Sequence, residues 1–153
     1  MVRGAAAGAV GTTALNAVTY LDMTLRGRPP SDTPEQTVQT LTDKLGLRVP
    51  GDENTRANRI QGVAALLGLA TGVTLGAGLA AVDEALDGPL GRLPIPANAL
   101  LFAGVALAGA NGPIAGLGIS DPWQWTPTDW ASDLVPHFAY GLTAAFTYKA
   151  MSG

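Results

Sequence analysis

One pair of side chains in this sequence has the type and spacing for acid–base chemistry: Asp133 and His137. Because they are four residues apart, they lie on one face of a helix and can contact each other. Tyr140 follows three residues later on the same face. A neighbouring carboxylate favours the charged imidazolium and burial opposes it, so we expect a titration near neutral pH. The alternative is a hydrogen-bonded pair that only fixes this helix against its neighbours.

Polar residues also interrupt two other apolar segments. Asn111 lies two residues before Pro113, which predicts a kinked helix with an amide beside the kink. Asn16 and Tyr20 are one helical turn apart in the N-terminal segment, and Asp22 follows them. Burying such groups in a membrane is costly, so these residues are further candidates for a functional polar site. We expect the first and last helices to share it.

The sequence lacks the residues that a metal site or a catalytic nucleophile would need. The chain has one His and no Cys, so no second imidazole and no thiolate can complete a metal shell around Asp133 and His137. Asp83, Glu84 and Asp87 offer carboxylates, but the predicted topology puts them at the opposite membrane face. No G-x-S-x-G motif and no phosphate-binding loop is present. We therefore expect no metal, no cofactor and no catalytic residue.

The composition indicates a membrane protein. The chain of 153 residues is 47% hydrophobic and only 14% charged, with a formal net charge of -3. These values exclude a disordered chain, a disulfide scaffold and a basic nucleic-acid binder. Residues 26–59 hold 11 of the 21 charged side chains, and the other 119 residues hold only ten. The alternatives are a soluble all-α domain and a signal peptide over residues 4–21.

Four stretches lack charge: residues 4–21, 60–82, 93–120 and 134–148. About 20 apolar residues cross the hydrocarbon core of a bilayer, so the second and third are long enough outright. The other two are long enough when an acid is included at one end. The sequence therefore predicts one membrane domain over residues 1–153, an all-α four-helix bundle. Its predicted spans are about residues 4–25, 60–82, 95–119 and 128–151.

Local signals place several helix ends. Gly27 to Pro30 ends the first span and Asp87 to Pro89 ends the second, because proline cannot extend a helix. Thr126 is predicted to cap the last helix. Between the first two spans, Thr33 to Gln36 has the pattern of a capping box. It predicts a short amphipathic helix of about residues 34–45 that covers the membrane surface or the bundle end.

The distribution of Lys and Arg predicts the orientation. Six of them lie on the side of the first loop: Arg26, Arg28, Lys44, Arg48, Arg56 and Arg59. Three lie on the side of the termini: Arg3, Arg92 and Lys149. Cytoplasmic loops are enriched in these residues. We therefore expect a multi-pass protein of the inner membrane with a cytoplasmic first loop and both termini outside.

Small residues and tryptophans define two further surfaces. Small residues recur at four-residue spacing on the two middle spans, at Gly68, Gly72 and Gly76 and at Gly104, Ala108, Gly112 and Gly116. Such a glycine zipper lets helices approach closely, either within one bundle or between copies in a homo-oligomer. Three tryptophans precede the last span, at Trp123, Trp125 and Trp130. They form either an interfacial aromatic belt or the rim of a binding site.

Two segments carry a family resemblance. Gly118-Ile119-Ser120-Asp121-Pro122, a connector to Trp130, Ser132-Asp133-Leu134 and His137-Phe138-Ala139-Tyr140 together resemble the last-helix motif of YagU-type bacterial inner-membrane proteins. Ala7-Gly8-Ala9-Val10 with Arg28-Pro29-Pro30 resembles their glycine-rich first helix and its exit. The chain is also similar to small membrane proteins of high-GC actinobacteria. It departs from the family in using Asp133 where the family has Glu. The resemblance implies an inner-membrane location and a polar site at Asp133 and His137.

Two classes of function remain open. The first is a non-enzymatic membrane protein, an accessory subunit or a channel- or transporter-like bundle, whose polar site senses or relays protons. Its partners are then the lipid bilayer, other membrane subunits or a second copy of the chain. The second is a membrane enzyme acting on a lipid or quinone, with His137 as general base. The lack of a nucleophile and of a metal shell favours the first class.

Overall fold

The computed structural model of the protein describes residues 1–152, and this range contains helices and no β-strand. The all-α prediction is confirmed. A single 3-10 turn, Pro122–Gln124, precedes the last helix. The six helices are α1 (Val2–Arg26), α2 (Thr33–Lys44), α3 (Glu53–Ala85), α4 (Pro89–Arg92), α5 (Ile95–Gly116) and α6 (Pro127–Ala150).

The long helices α1 and α6 lie at the centre of the molecule. Helix α6 packs between α1 and α5, and α1 packs between α6 and α3, whereas α3 and α5 contact each other less. Contacts between chain segments define two ends of this arrangement. At the terminal end, Arg3 Nη1 donates to Ser152 Oγ across 3.3 Å. At the tryptophan end, Arg26 Nη2 donates to Ser132 Oγ across 2.5 Å.

Glycines allow α1 and α3 to approach until their backbones touch. A Cβ added to Gly76 would lie 2.8 Å from the Cα of Gly8, and one added to Gly8 would lie 2.9 Å from the Cα of Val73. Gly72 faces Thr12 of α1 in the same way. Real Cβ atoms do not come this close, so any side chain at these positions would push the helices apart. Gly72 and Gly76 therefore pack within the chain.

The other four predicted packing glycines do not contact a neighbouring helix. A Cβ built on each would meet no atom within 4 Å: Gly68, Gly104, Gly112 and Gly116. Of the two alternatives, these four glycines therefore take no part in packing between the helices of one chain. The reason is the rotation of α5, which buries Ala99, Phe102 and Ala106 instead. Gly109 is the glycine of α5 that meets α3, at the Leu75 side chain.

The outer faces of α3 and α5 expose much apolar surface. These two helices are long and apolar enough to cross a membrane, and only 17% of the most apolar 18-residue window of each is buried. The chain exposes 8984 Å² in total. A water-soluble monomer of this mass exposes about 7,200 Å² by the usual size scaling. The length, hydropathy and exposure of α3 and α5 indicate a membrane location.

Helix α2 lies against α3 near the tryptophan end. Its Val38 is 3% exposed and packs with Ile60 and Ala64 of α3, so one face of α2 is buried against that helix. The predicted capping box at Thr33 is wrong, because the helix begins one residue earlier with Asp32 at the N-cap. Beyond its C-terminal end, Gly46 has a φ of 65°, which glycine adopts without strain.

Two other helix ends differ in how well the sequence predicted them. Thr126 and Asp129 form a reciprocal capping box at the start of α6, which confirms the predicted cap. Helix α5 ends at Gly116, before the predicted residue 119.

The side chain of Asp52 caps the start of α3 by accepting the Thr55 N–H at 2.8 Å. This hydrogen bond holds the pKa of the Asp52 carboxyl below its usual value.

Candidate functional site

The predicted pair on α6 is in contact. His137 Nδ1 lies 3.3 Å from Asp133 Oδ1 and 2.8 Å from the backbone oxygen of Asp133. The two side chains are 11% and 20% exposed, so both are mostly shielded from the surroundings. Their four-residue spacing on one helical face produces this contact, as the sequence analysis expected.

Asn111 of α5 completes a polar site with this pair. Its Nδ2 donates to Asp133 Oδ2 across 2.8 Å, so one carboxylate faces an imidazole on its own helix and an amide on the next. Asp133, His137 and Asn111 are called the α5–α6 site below. Because both carboxylate oxygens have a partner, the Asp133 side chain is fixed in orientation.

The partners of His137 determine where its ring can take up a proton. Both atoms facing Nδ1 are oxygens that accept hydrogen bonds, so Nδ1 carries the hydrogen in the neutral ring. The lone pair is then on Nε2. This nitrogen makes no hydrogen bond to any residue within 1–152, and it is not fully buried. Proton uptake at Nε2 therefore leaves the contact with Asp133 intact and adds a charge to it.

Prolines interrupt both helices beside the α5–α6 site. Pro136 lies inside α6, next to His137, and Pro113 lies inside α5, two residues after Asn111. Proline has no backbone N–H, so neither can donate to the carbonyl one turn earlier. The backbone is consequently less constrained at the site than elsewhere in the two helices.

Tyr140 does not belong to the α5–α6 site. Its hydroxyl donates to the backbone oxygen of Gly72 in α3 across 2.7 Å. Its ring lies against Gly11 of α1, where an added Cβ would be 2.8 Å from Tyr140 Cε2. Tyr140 thus joins α6 to α3 through the space left by a glycine of α1. Tyr140 was expected to extend the face formed by Asp133 and His137. Its contact with Gly72 shows that it points toward α3 instead.

The polar residues of α1 do not reach the α5–α6 site either. Tyr20 is 62% exposed, and neither it nor Asn16 makes a side-chain hydrogen bond to a residue within 1–152. Asp22 accepts from Arg26 Nη2 and Arg28 Nε, both at 2.6 Å. The polar contact between the first and last helices is made by Arg26 with Ser132, because their side chains are long enough and face each other at the tryptophan end.

The tryptophans occupy two different environments. Trp125 Nε1 donates to Ser120 Oγ across 2.9 Å, and its ring meets that of Trp130 edge-on at 5.0 Å. Trp123 is 94% exposed. A fully exposed indole is typical of a residue placed at a membrane–water interface.

A second polar cluster, at the terminal end, was not predicted. Asp83 is 2% exposed and accepts from Tyr148 Oη and from Leu90 N, both at 2.6 Å. Arg3 Nη2 lies 3.5 Å from the same carboxylate, and its guanidinium lies 4.8 Å from the Tyr148 ring centre. Asn98 is buried beside it and donates to the Leu90 oxygen. Asp83 directly follows an uncharged span and Tyr148 ends another, which was the available signal.

The two clusters lie at opposite ends of the molecule, as predicted for Asp83 and Asp133. Among residues 1–152, no three His, Asp or Glu side chains converge as a metal site would require. No protein-family model, curated protein or solved structure matches the chain.

Proposed function

We propose that the chain is a small four-span membrane protein whose α5–α6 site responds to protonation. Helices α1 and α6 have 25 and 24 residues, so each is more than about 30 Å long and can cross a bilayer beside α3 and α5. The exposed apolar faces of α3 and α5 support this arrangement, since lipid is the medium that accepts such surfaces. The assignment to YagU-type inner-membrane proteins is a further proposal, carried by the motif around Asp133 and His137.

The proposed orientation follows the Lys and Arg distribution. The tryptophan end, with six of these residues in its first loop, faces the cytoplasm, and both termini lie outside. The chain has no Cys, so one introduced cysteine reports on one position. With a membrane-impermeant thiol reagent on intact cells, Arg92→Cys should be labelled and Lys44→Cys should not. The opposite result would invert the orientation, and labelling of both in the soluble fraction would exclude a membrane protein.

The observation that carries the functional proposal is the series of polar contacts that runs from the Asn111 amide to the Asp133 carboxylate and from there to the His137 ring. It joins α5 and α6 through the only His of the sequence. Protonation at Nε2 turns a neutral contact with Asp133 into an ion pair, which changes how strongly the carboxylate is held and therefore how α5 and α6 pack. The site thus converts local pH into a change in helix packing, in a non-enzymatic accessory or transporter-like protein.

The enzymatic alternative needs a substrate cavity beside Nε2 of His137. Two cavities of about 630 and 240 Å³ lie near the tryptophan end. The larger is lined by Ala115 and residues 118–124 and the smaller by α1 and the opposite flank of α6, so neither includes His137. This placement favours a proton-responsive role over general-base catalysis.

Thermal unfolding in detergent at several pH values tests the proposal. We expect the midpoint of the wild type to change between about pH 5 and 8, the range over which an imidazole gains or loses its charge. His137→Gln should have a flat profile over this range, while the matched control Asn16→Ala should follow the wild type. A flat wild-type profile, or an unchanged profile in His137→Gln, would contradict the proposal.

A further inference from the structure

A groove runs between α1 and α6 at the tryptophan end, on the flank of α6 away from His137. The groove is partly open and has a volume of about 240 Å³. Its walls are apolar and its mouth is polar, where Asp22, Arg26 and Ser132 meet. The wall residues are Val18, Ala131, Val135 and Pro136. An apolar slot with polar groups at one end fits an amphiphile whose polar group lies at that end.

Two guanidinium groups share one carboxylate at the mouth. Arg26 and Arg28 both donate to Asp22, while Asp129, the other acid near Arg26, accepts from the Thr126 N–H and hydroxyl in the cap of α6. Arg26 uses only Nη2, for Asp22 and Ser132, and its Nε and Nη1 have no acceptor among residues 1–152. Arg28 likewise leaves Nη2 without one. Asp22 thus holds two guanidinium groups in place while their remaining N–H groups are available to an anion.

We propose that this groove binds a membrane phospholipid, with its phosphate at Arg26 and Arg28 and an acyl chain against Val18 and Val135. Guanidinium groups bind phosphate through paired N–H donors. Inside the bilayer the acyl chain is already in an apolar medium, so its contact with the wall contributes through close van der Waals packing. The proposal rests on the membrane placement proposed above, because only a span inside the bilayer presents the groove to an acyl chain at the level of the headgroups.

Other occupants match only half of the groove. A free phosphate uses the arginines and leaves the wall of Val18 and Val135 uncovered. An uncharged diacyl lipid covers the wall and leaves the guanidinium donors without a phosphate. A phospholipid alone satisfies both parts, so the three ligands are expected to separate experimentally.

Native mass spectrometry of the full chain in detergent measures this binding. The probes are phosphatidylglycerol, diacylglycerol with the same chains, and glycerol phosphate. We expect one phosphatidylglycerol per chain, and at least tenfold less retention of the other two. Equal retention of diacylglycerol would overturn the phosphate contact, and equal retention of glycerol phosphate would overturn the apolar one.

Variants locate the site. Arg26→Gln should lower phosphatidylglycerol retention at least tenfold. The matched control Arg59→Gln, whose guanidinium donates to the Pro50 oxygen at the start of α3, should not. Val18→Phe fills the groove without changing charge and should also lower retention, which guards against a folding defect in the Arg26 variant. Unchanged retention in both groove variants would overturn the proposal.

The proposed function and the lipid site can fail separately. His137→Gln should bind phosphatidylglycerol as the wild type does, because His137 lies on another flank of α6. If the wild type shows no pH response and still retains the lipid, the proton-responsive role is wrong and the lipid site remains. If the chain is recovered soluble without detergent, the membrane placement is wrong and the lipid site is overturned with it.

Discussion

Tyr148 near the end of α6 donates its phenolic hydrogen to the Asp83 carboxylate near the end of α3, across 2.6 Å. Tyr148 is fully buried and Asp83 is 2% exposed, so this hydrogen bond is sheltered from solvent. It joins two residues that lie 65 positions apart in the sequence. It connects two helices at the terminal end, as the hydrogen bond between Asn111 and Asp133 does at the tryptophan end.

Tyr148→Phe tests this contact. The change removes the hydroxyl and leaves one oxygen of the buried Asp83 with Arg3 alone. A hydrogen bond to a charged group contributes about 1.5–3 kcal/mol, so we expect a loss of unfolding free energy in this range. Chemical unfolding in detergent measures it. Tyr20→Phe is the control, since Tyr20 is 62% exposed, and a loss of equal size there would contradict the account.

Two glycines of α3 allow a matched test of the close contact between α1 and α3. Gly72→Ala places a methyl group against Thr12 of α1, and overpacking of this kind costs about 1–3 kcal/mol. Gly68→Ala meets no atom within 4 Å, and alanine is the better helix former by about 1 kcal/mol. We therefore expect the unfolding midpoint to fall for Gly72→Ala and to stay or rise for Gly68→Ala. A fall of equal size in both would show that Gly68 is also in contact.

The Asp52 cap makes the stability of α3 depend on pH at a position outside the predicted spans. The hydrogen bonds from Thr55 hold the pKa of the Asp52 carboxyl below its ordinary value. The cap therefore stabilises α3 fully at pH values above that ordinary pKa. The contribution is lost as pH falls through the lowered pKa. Asp52→Asn retains a capping side chain that does not titrate. We expect the helical signal of the wild type to fall at acid pH more than that of Asp52→Asn, and identical acid profiles would refute the cap.

Asn111→Ala tests whether α5 holds the carboxylate of the α5–α6 site. Without the amide, Asp133 Oδ2 loses its partner and the carboxylate is free to turn toward His137. We expect unfolding free energy to fall by about 1–3 kcal/mol and the pH response of His137 to change. Asn16→Ala, in a residue without a hydrogen bond, should alter neither. An unchanged pH response in Asn111→Ala would remove α5 from the site.

The sequence was informative where a signal is local. The spacing of Asp133 and His137 predicted their contact, and Thr126 and Pro127 predicted the start of α6. Asn111 was found because a nearby proline marks a break in the helix. Each of these inferences depends on residues at most four apart or on a single helix end.

Long-range contacts were harder to predict for a physical reason. The spans are apolar on all sides, so no polar stripe shows which face of a helix meets which neighbour. The rotation of α6 toward α3 puts Tyr140 on Gly72, and the rotation of α5 leaves Gly104 uncovered. The pairing of Asp83 with Tyr148 depends on the same rotations. These are properties of the packed set of helices and not of any one segment.

The most direct test of the central claim is nitrogen NMR of the protein labelled with ¹⁵N-histidine. The sequence has one His, so Nδ1 and Nε2 of His137 each give a single resonance. We expect a neutral ring with the hydrogen on Nδ1 at high pH, and proton uptake at Nε2 as the pH is lowered from about 8 to 5. Asp133→Asn should shift this titration. A hydrogen on Nε2 in the neutral ring, or no titration in this range, would contradict the proposed site.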